Sequence, residues 1–210
     1  MEENTHEIIK LFSQPLLKTY LPNKFSNIVN WLDNQEIEFS ENPDWGSVSS
    51  NTQLLNSPEC SELSNYILSL AFQFADEVLS LDHPSYKFST SWISIKTSND
   101  SHFPHIHSNS IISGVFYYGH YGNDTPGINF IHPPQPTGNF ELAPRFKNNK
   151  NPRYQPHTFP AYPGVLYMFP SYIPHSVSKN ETSSPRKSVS FNIVPTDGLG
   201  DNRILNNLSF

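Results

Sequence analysis

The 210-residue chain carries 19 acidic against 13 basic residues, a formal charge of −6, so it has no basic field to recruit phosphate backbones and nucleic acid is not an expected partner. Its length suits one domain over residues 1–210, and 13% aromatic residues, 15% charged residues and 19 prolines favour strands and punctuated loops over a helical bundle. Cys60 is the single cysteine, which excludes an intrachain disulfide and fits a reducing compartment.

The opening residues Met1-Glu2-Glu3-Asn4 are acidic and the apolar runs that follow are short, so neither a leader nor a membrane span is expected. The expected location is cytoplasmic, the host cytoplasm if the chain is viral. Residues 1–85 read as a helical support region. Phe25, Ile28, Val29 and Leu32 recur at helical spacing within Asn23–Leu32, which predicts one short amphipathic helix. A longer one starts with Ser57 as cap, Pro58 in the first turn and Glu59 and Glu62 near the positive end of the dipole. Leu63, Ile67, Leu70, Ala71, Phe74 and Val78 mark its apolar face as far as Leu81, a stripe that must pack on something, here a sheet.

After His83-Pro84 the pattern changes to short β-branched and aromatic runs separated by Pro, Gly, Asn and Asp. Strands are predicted near Lys87–Ile95, Ile111–Tyr118, Ile128–His132, Val165–Phe169 and Lys187–Val194, a mainly β sandwich or barrel with the helices packed on one sheet. The core is placed at 86–195. The Pro-, Asn- and Lys-rich stretch 133–163 reads as a long loop, either a lid over a site or a plain surface excursion. Arg145, Lys147, Lys150 and Arg153 within it read as a solvated run.

Chemistry concentrates in three places. In His102-Phe103-Pro104-His105-Ile106-His107, residues two apart on an extended segment share a face, so His105 and His107 can converge on one ion while Ile106 points away. Imidazole suits iron, zinc, copper and nickel; surface or core histidines are the other reading. His175, in Phe169-Pro170-Ser171-Tyr172-Ile173-Pro174-His175, follows a buried strand and either completes a two-plus-one metal site or is a hydrogen-bonded core histidine. Arg186, followed at alternate positions by Ser188, Ser190 and Asn192, offers a guanidinium fork and a hydroxyl to a carboxylate; the other reading is an Arg paired with a surface acid. Asn129 and Asn192, poor strand formers on predicted strands, are placed as pocket-lining residues together with Ser113. Trp92 and Phe130 are placed in the core.

The order H-x-H, a distant H, then R-x-S resembles the 2-oxoglutarate- and Fe(II)-dependent oxygenase superfamily. More narrowly, His105-Ile106-His107, Ser113-Gly114-Val115-Phe116-Tyr117, Phe169-Pro170-Ser171 with His175-Ser176-Val177, and Arg186 through Asn192 are similar to a group of such oxygenases in bacteria and their viruses. The resemblance covers roughly Tyr86 to Val194. It implies a double-stranded β-helix (a jelly roll, cupin-like), with Fe(II) held by His105, His107 and His175, and 2-oxoglutarate and O2 as cosubstrates. Arg186, Ser188 and Tyr117 would hold the far carboxylate. The product of the cosubstrate would be succinate with CO2, and the substrate a small molecule or peptide oxidised in the same turnover, most simply by hydroxylation. The superfamily's usual carboxylate is here His107, so Asp100, Asp124 and Glu141 are the alternative anionic ligands, and His102 an alternative to His105. Two other readings compete: a cupin-like metal enzyme that does not use 2-oxoglutarate, and a non-catalytic jelly-roll module. Substrate and oligomeric state are not legible in the residues.

Overall fold

The computed structural model describes residues 13–38, 46–119, 122, 124–132, 156–200, 206 and 208–209. Two antiparallel sheets face each other. The larger is built from β1 (Leu17–Tyr20), β2 (Ile37–Glu38), β3 (Ser47–Ser49), β4 (Tyr86–Lys96), β6 (Ile112–Tyr118), β9 (Val165–Pro170) and β11 (Arg186–Pro195), in the order β1-β9-β6-β11-β4-β3-β2. The smaller contains β5 (His102–His105), β7 (Ile128–Phe130), β8 (His157–Phe159) and β10 (His175–Val177), in the order β5-β10-β7-β8.

The long strands follow from their composition. β11 pairs with β4 and β6 over nearly its full length, and all three are rich in β-branched and aromatic residues. Alternation sends Phe116, Leu166, Met168, Val189, Phe191 and Ile193 to the outer face of the large sheet, while Val115, Tyr117, Val165, Tyr167 and Phe169 face inward to the small sheet. The outer face is covered by helix α2 (Ser61–Gln73), whose Leu63, Ile67 and Ala71 lie in the same apolar cluster. Each such fully buried Leu or Ile contributes about 1.5–3 kcal/mol. Gly114 lies where the sheet is tightest: a Cβ there would stand 2.3 Å from the Phe191 ring and 2.9 Å from the Tyr167 carbonyl oxygen, which accounts for the glycine in Ser113-Gly114-Val115.

Several expectations change in detail. The helix over Asn23–Leu32 divides into a 3-10 turn (Asn23–Phe25) and α1 (Ile28–Asp33). The longer helix begins as a 3-10 turn at Pro58–Cys60, without a side-chain cap from Ser57, and ends in a π-helical turn over Phe74–Val78. The N-terminal region is not helical support alone, because β1, β2 and β3 extend both edges of the large sheet. Of the long stretch 133–163, the first part, with the Arg145–Arg153 run, lies outside the described residues; its end carries β8. Among the described residues no helix is long and apolar enough to cross a membrane.

Candidate metal and cosubstrate site

Antiparallel pairing sets His105, the last residue of β5, directly opposite His175, the first of β10. Their rings stand 4.3 Å apart between centroids. His107 lies just beyond the end of β5, where its backbone N–H donates to the Ser171 carbonyl at 3.1 Å and its ring comes within 5.2 Å of His105 and 5.0 Å of His175. One ring nitrogen of each of the three lies within 4.8 Å of the others. Ile106 points outward and is exposed.

Hydrogen bonding fixes which nitrogen faces inward. His105 Nδ1–H donates to the Phe103 carbonyl at 2.9 Å, and His175 Nδ1–H to the Ile173 carbonyl at 3.0 Å, which leaves both Nε2 lone pairs directed to the centre. His107 Nε2 stands 3.1 Å from His175 Nε2. Two imidazole lone pairs at that separation need a shared proton or a cation between them. Among the described residues this is the group able to hold a metal, and it contains no carboxylate: Asp100 instead binds the Thr97 N–H and hydroxyl, Asp124 is exposed, and Glu141 is outside the described residues. His102 stacks on His105 at 4.2 Å and lines the cavity, so it backs the cluster rather than joining it.

The chemistry of the donors suits a divalent ion. Burial, and then the neighbouring His105, hold His107 down to about 4 and His175 down to about 3; burial lowers His105 as well. Neutral imidazoles are therefore presented at neutral pH. Stability follows from the same shifts. In the unfolded chain these rings take up protons below about 6.5, but in the folded, metal-free protein His107 and His175 do not until about 4 and 3. Stability is thus intact above pH 6.5 and lost as the pH falls from there, by up to ~2.7 kcal/mol per pH unit for the two groups. We expect steep acid unfolding of the metal-free protein between pH 6.5 and 4, in urea melts at fixed temperature. A flat profile over that range would contradict neutral, buried imidazoles.

The histidines open onto a cavity of about 280 Å³ between the sheets, with Arg186 and Ser188 on its opposite wall. Arg186, the first residue of β11, is 3% exposed. Its Nε donates to the Pro126 carbonyl at 3.0 Å, Nη1 to Ser188 Oγ at 3.4 Å and Nη2 to the Tyr117 hydroxyl at 2.9 Å. Those three bonds leave two of the five guanidinium N–H groups, and among the described residues no carboxylate pairs with it. Among the described residues, the cavity lining contains no Asp or Glu. A buried cation without a protein anion is suited to an anionic ligand. Tyr117 is fully buried and its phenol raised by that burial, against the opposing pull of Arg186, so it remains a neutral hydrogen-bonding group.

Two expected pocket residues stand behind the wall. Ser113 donates to Asn192 Oδ1 at 2.8 Å and Asn192 Nδ2 to Thr90 Oγ1 at 3.0 Å, and neither lines the cavity. Asn129 also lies outside it, because Ile128 and Phe130 take the inward positions of β7; its amide ties β7 to Ser178 and Thr158. Trp92 is not simply core: it lines the cavity and stacks on His107 at 5.9 Å. Phe130 is core. The sequence reading missed Lys96, fully buried on the cavity wall and opposite Arg186 in the β4–β11 register. The signal was its parity with Trp92 and Ser94. Its charge helps to hold His102 and His105 unprotonated.

Comparison with known proteins agrees with this arrangement. Residues 90–192 match the family described as "Putative 2OG-Fe(II) oxygenase". No curated protein matches the chain by sequence. Among solved structures the chain is similar to a Pseudomonas putida prolyl-4-hydroxylase (TM-score 0.57, 14% identity, 87% of this chain and 94% of that one). It is similar also to HygX of Streptomyces hygroscopicus, solved with nickel, 2-oxoglutarate and hygromycin B (0.57, 11%, 87% and 84%). A third is a prolyl hydroxylase of Trichoplax adhaerens in complex with a hypoxia inducible factor peptide (0.61, 12%, 88% and 86%). At these identities the likeness is one of fold, and it defines the class: a mainly β protein of the double-stranded β-helix type. The match over residues 90–192, the core that carries the histidines and Arg186, takes the next step: it indicates an enzyme of the 2OG-Fe(II) oxygenase kind, whose metal is iron and whose cosubstrate is 2-oxoglutarate.

Proposed function

We propose that His105, His107 and His175 hold the Fe(II), that Arg186, Ser188 and Tyr117 hold the distal carboxylate of 2-oxoglutarate, and that the enzyme hydroxylates a small-molecule or peptide substrate. The observation that carries the reading is one cavity with three inward Nε2 atoms on one wall and, on the other, a buried guanidinium that pairs with no carboxylate among the described residues. In the balanced reaction 2-oxoglutarate, O2 and a substrate C–H give succinate, CO2 and the hydroxylated substrate. Iron supplies the activation of oxygen; the chain supplies geometry, charge and exclusion of water. Neutral imidazoles leave the whole charge of the ion to be met by the dianionic cosubstrate, and Arg186 meets that cosubstrate at its far end. Residues 1–210 act as one oxygenase domain in this reading.

The test is anaerobic titration of 2-oxoglutarate into the Fe(II) protein, read by the weak visible charge-transfer absorption of the chelate. Saturable absorption at one equivalent is expected. Iron binding without that band would favour the cupin-like enzyme. A finer expectation concerns Tyr117, whose neutral hydroxyl adds one hydrogen bond. Tyr117→Phe should weaken 2-oxoglutarate by only about 0.5–1.5 kcal/mol. Unchanged affinity would place the phenol outside the cosubstrate site.

A further inference from the structure

The inward face of the β4–β11 pair presents three cross-strand rungs to the cavity: Trp92 opposite Ser190, Ser94 opposite Ser188, and Lys96 opposite Arg186. The first lies at the metal end, where Trp92 stacks on His107. The last sets two buried cationic side chains opposite each other. Like charges in directly opposed positions of a sheet are unfavourable, so this rung needs a reason.

The two heads turn to opposite sides of the strand pair. Arg186 reaches away from β4: its Nη2 donates to Tyr117 on β6 at 2.9 Å and its Nε to the Pro126 carbonyl at 3.0 Å. Lys96 leans the other way, toward the start of β3, where a Cβ on Gly46 would stand 2.7 Å from both its Cδ and its Nζ. Glycine at 46, with a φ of +63°, therefore leaves the lysine its path. Access differs too. The Arg186 side is closed by fully buried Tyr117, whereas on the β3 side half-buried Val48 and exposed Thr52 form the rim of the cavity.

Charge points the same way. Metal-bound imidazoles are neutral, so a divalent ion and Arg186 place three positive charges in the cavity against two on 2-oxoglutarate, before Lys96 is counted. Among the described residues the lining adds no acid. Excess positive charge in a site of low dielectric favours a further anion.

We propose that Lys96 is the anchor of the substrate: a carboxylate or phosphate group of the substrate sits against its ammonium on the β3 side of the cavity, while Arg186 keeps the cosubstrate. An ammonium has three N–H donors, so Lys96 serves this group alongside any contact it makes within the protein. The inference rests on the reading of the cavity as an iron and 2-oxoglutarate site, and narrows its substrate to one that carries an oxyanion.

The test adds small probes to the full-length chain loaded anaerobically with Fe(II) and 2-oxoglutarate, at constant ionic strength and followed by calorimetry. The probes are acetate, inorganic phosphate, and acetamide as the uncharged counterpart of acetate. The chelate absorption reports in parallel whether 2-oxoglutarate stays bound. The parent should bind at least one of the anions saturably and acetamide not at all; the anion that binds more tightly names the substrate's group. Lys96→Met should weaken that anion by about tenfold or more, the scale of losing a hydrogen bond to a charged group. Its 2-oxoglutarate dissociation constant should change by less than about threefold. A Lys96→Met protein that loses 2-oxoglutarate as Arg186→Ala does would place the lysine in the cosubstrate site and overturn the proposal. So would anion binding equal in Lys96→Met and the parent, or a loaded parent that takes neither anion better than acetamide. If Lys96→Met does not fold, Lys96→Gln is read by the same criteria. A parent that binds no 2-oxoglutarate removes the reading of the cavity together with this inference; one that binds it and fails the anion test removes the inference alone.

Discussion

His175→Ala is expected to abolish stoichiometric iron binding. The residue is 5% exposed, its ring stands close to those of both His105 and His107, and its tautomer is fixed by the Ile173 carbonyl. Its removal leaves two imidazoles from one short segment, without the ligand that the second strand supplies. Loss of a mere outer-shell partner costs roughly 10–100-fold, so loss of this inner nitrogen should exceed ~100-fold. The substitution also relieves two facing lone pairs and removes a buried polar ring, so the metal-free fold should survive it; near-ultraviolet circular dichroism checks this. Iron is measured after anaerobic loading and desalting. Stoichiometric iron in the folded variant would sink the assignment of the site. His107→Asp should by contrast retain the metal, since it creates the common arrangement of two histidines and one carboxylate.

The parts of the fold legible in the sequence were those whose pattern is local. The strands at Tyr86–Lys96, Ile112–Tyr118, Val165–Pro170 and Arg186–Pro195 carry enough alternating or continuous apolar residues to be recognised alone. β2, β3, β5, β8 and β10 are two to four residues long, and β5 contains Pro104; such strands exist through their partners, most of which are far away in sequence. The histidines and Arg186 were legible because spacing and residue type together narrow the chemistry. The second rank of the site was not. Asn129 was misplaced although Ile128 and Phe130 on either side already claim the inward face. Lys96 closes a strand, a position that reads as solvent, and only the β4–β11 register brings it level with Arg186. Asn192 and Ser113 have inward parity but are separated from the cavity by their own hydrogen bonds, a distinction that alternation alone does not make.

Arg186→Ala should raise the 2-oxoglutarate dissociation constant by roughly a hundredfold or more while leaving iron binding nearly intact. The guanidinium is held by Pro126, Ser188 and Tyr117 and so meets a carboxylate preorganised, with two N–H groups in reserve. Breaking one side of a buried charged pair commonly costs about 3–5 kcal/mol, because the partner is left without its counter-charge; a hundredfold change corresponds to about 2.7 kcal/mol. Iron should be indifferent, since the three histidines come from other segments of the chain and keep their own hydrogen bonds. Arg186→Lys should recover only part of the loss: an ammonium restores the charge but neither the fork nor the simultaneous contacts to Ser188 and Tyr117. Buried Lys96 supplies a further check, because it provides a nearby positive charge without the fork; if charge alone were sufficient, Arg186→Ala would lose little. The measurement is calorimetric titration of 2-oxoglutarate into the anaerobic iron form of each variant. Parent-like affinity in Arg186→Ala would remove this side chain from the cosubstrate site and leave the three histidines as a metal centre that anchors 2-oxoglutarate elsewhere.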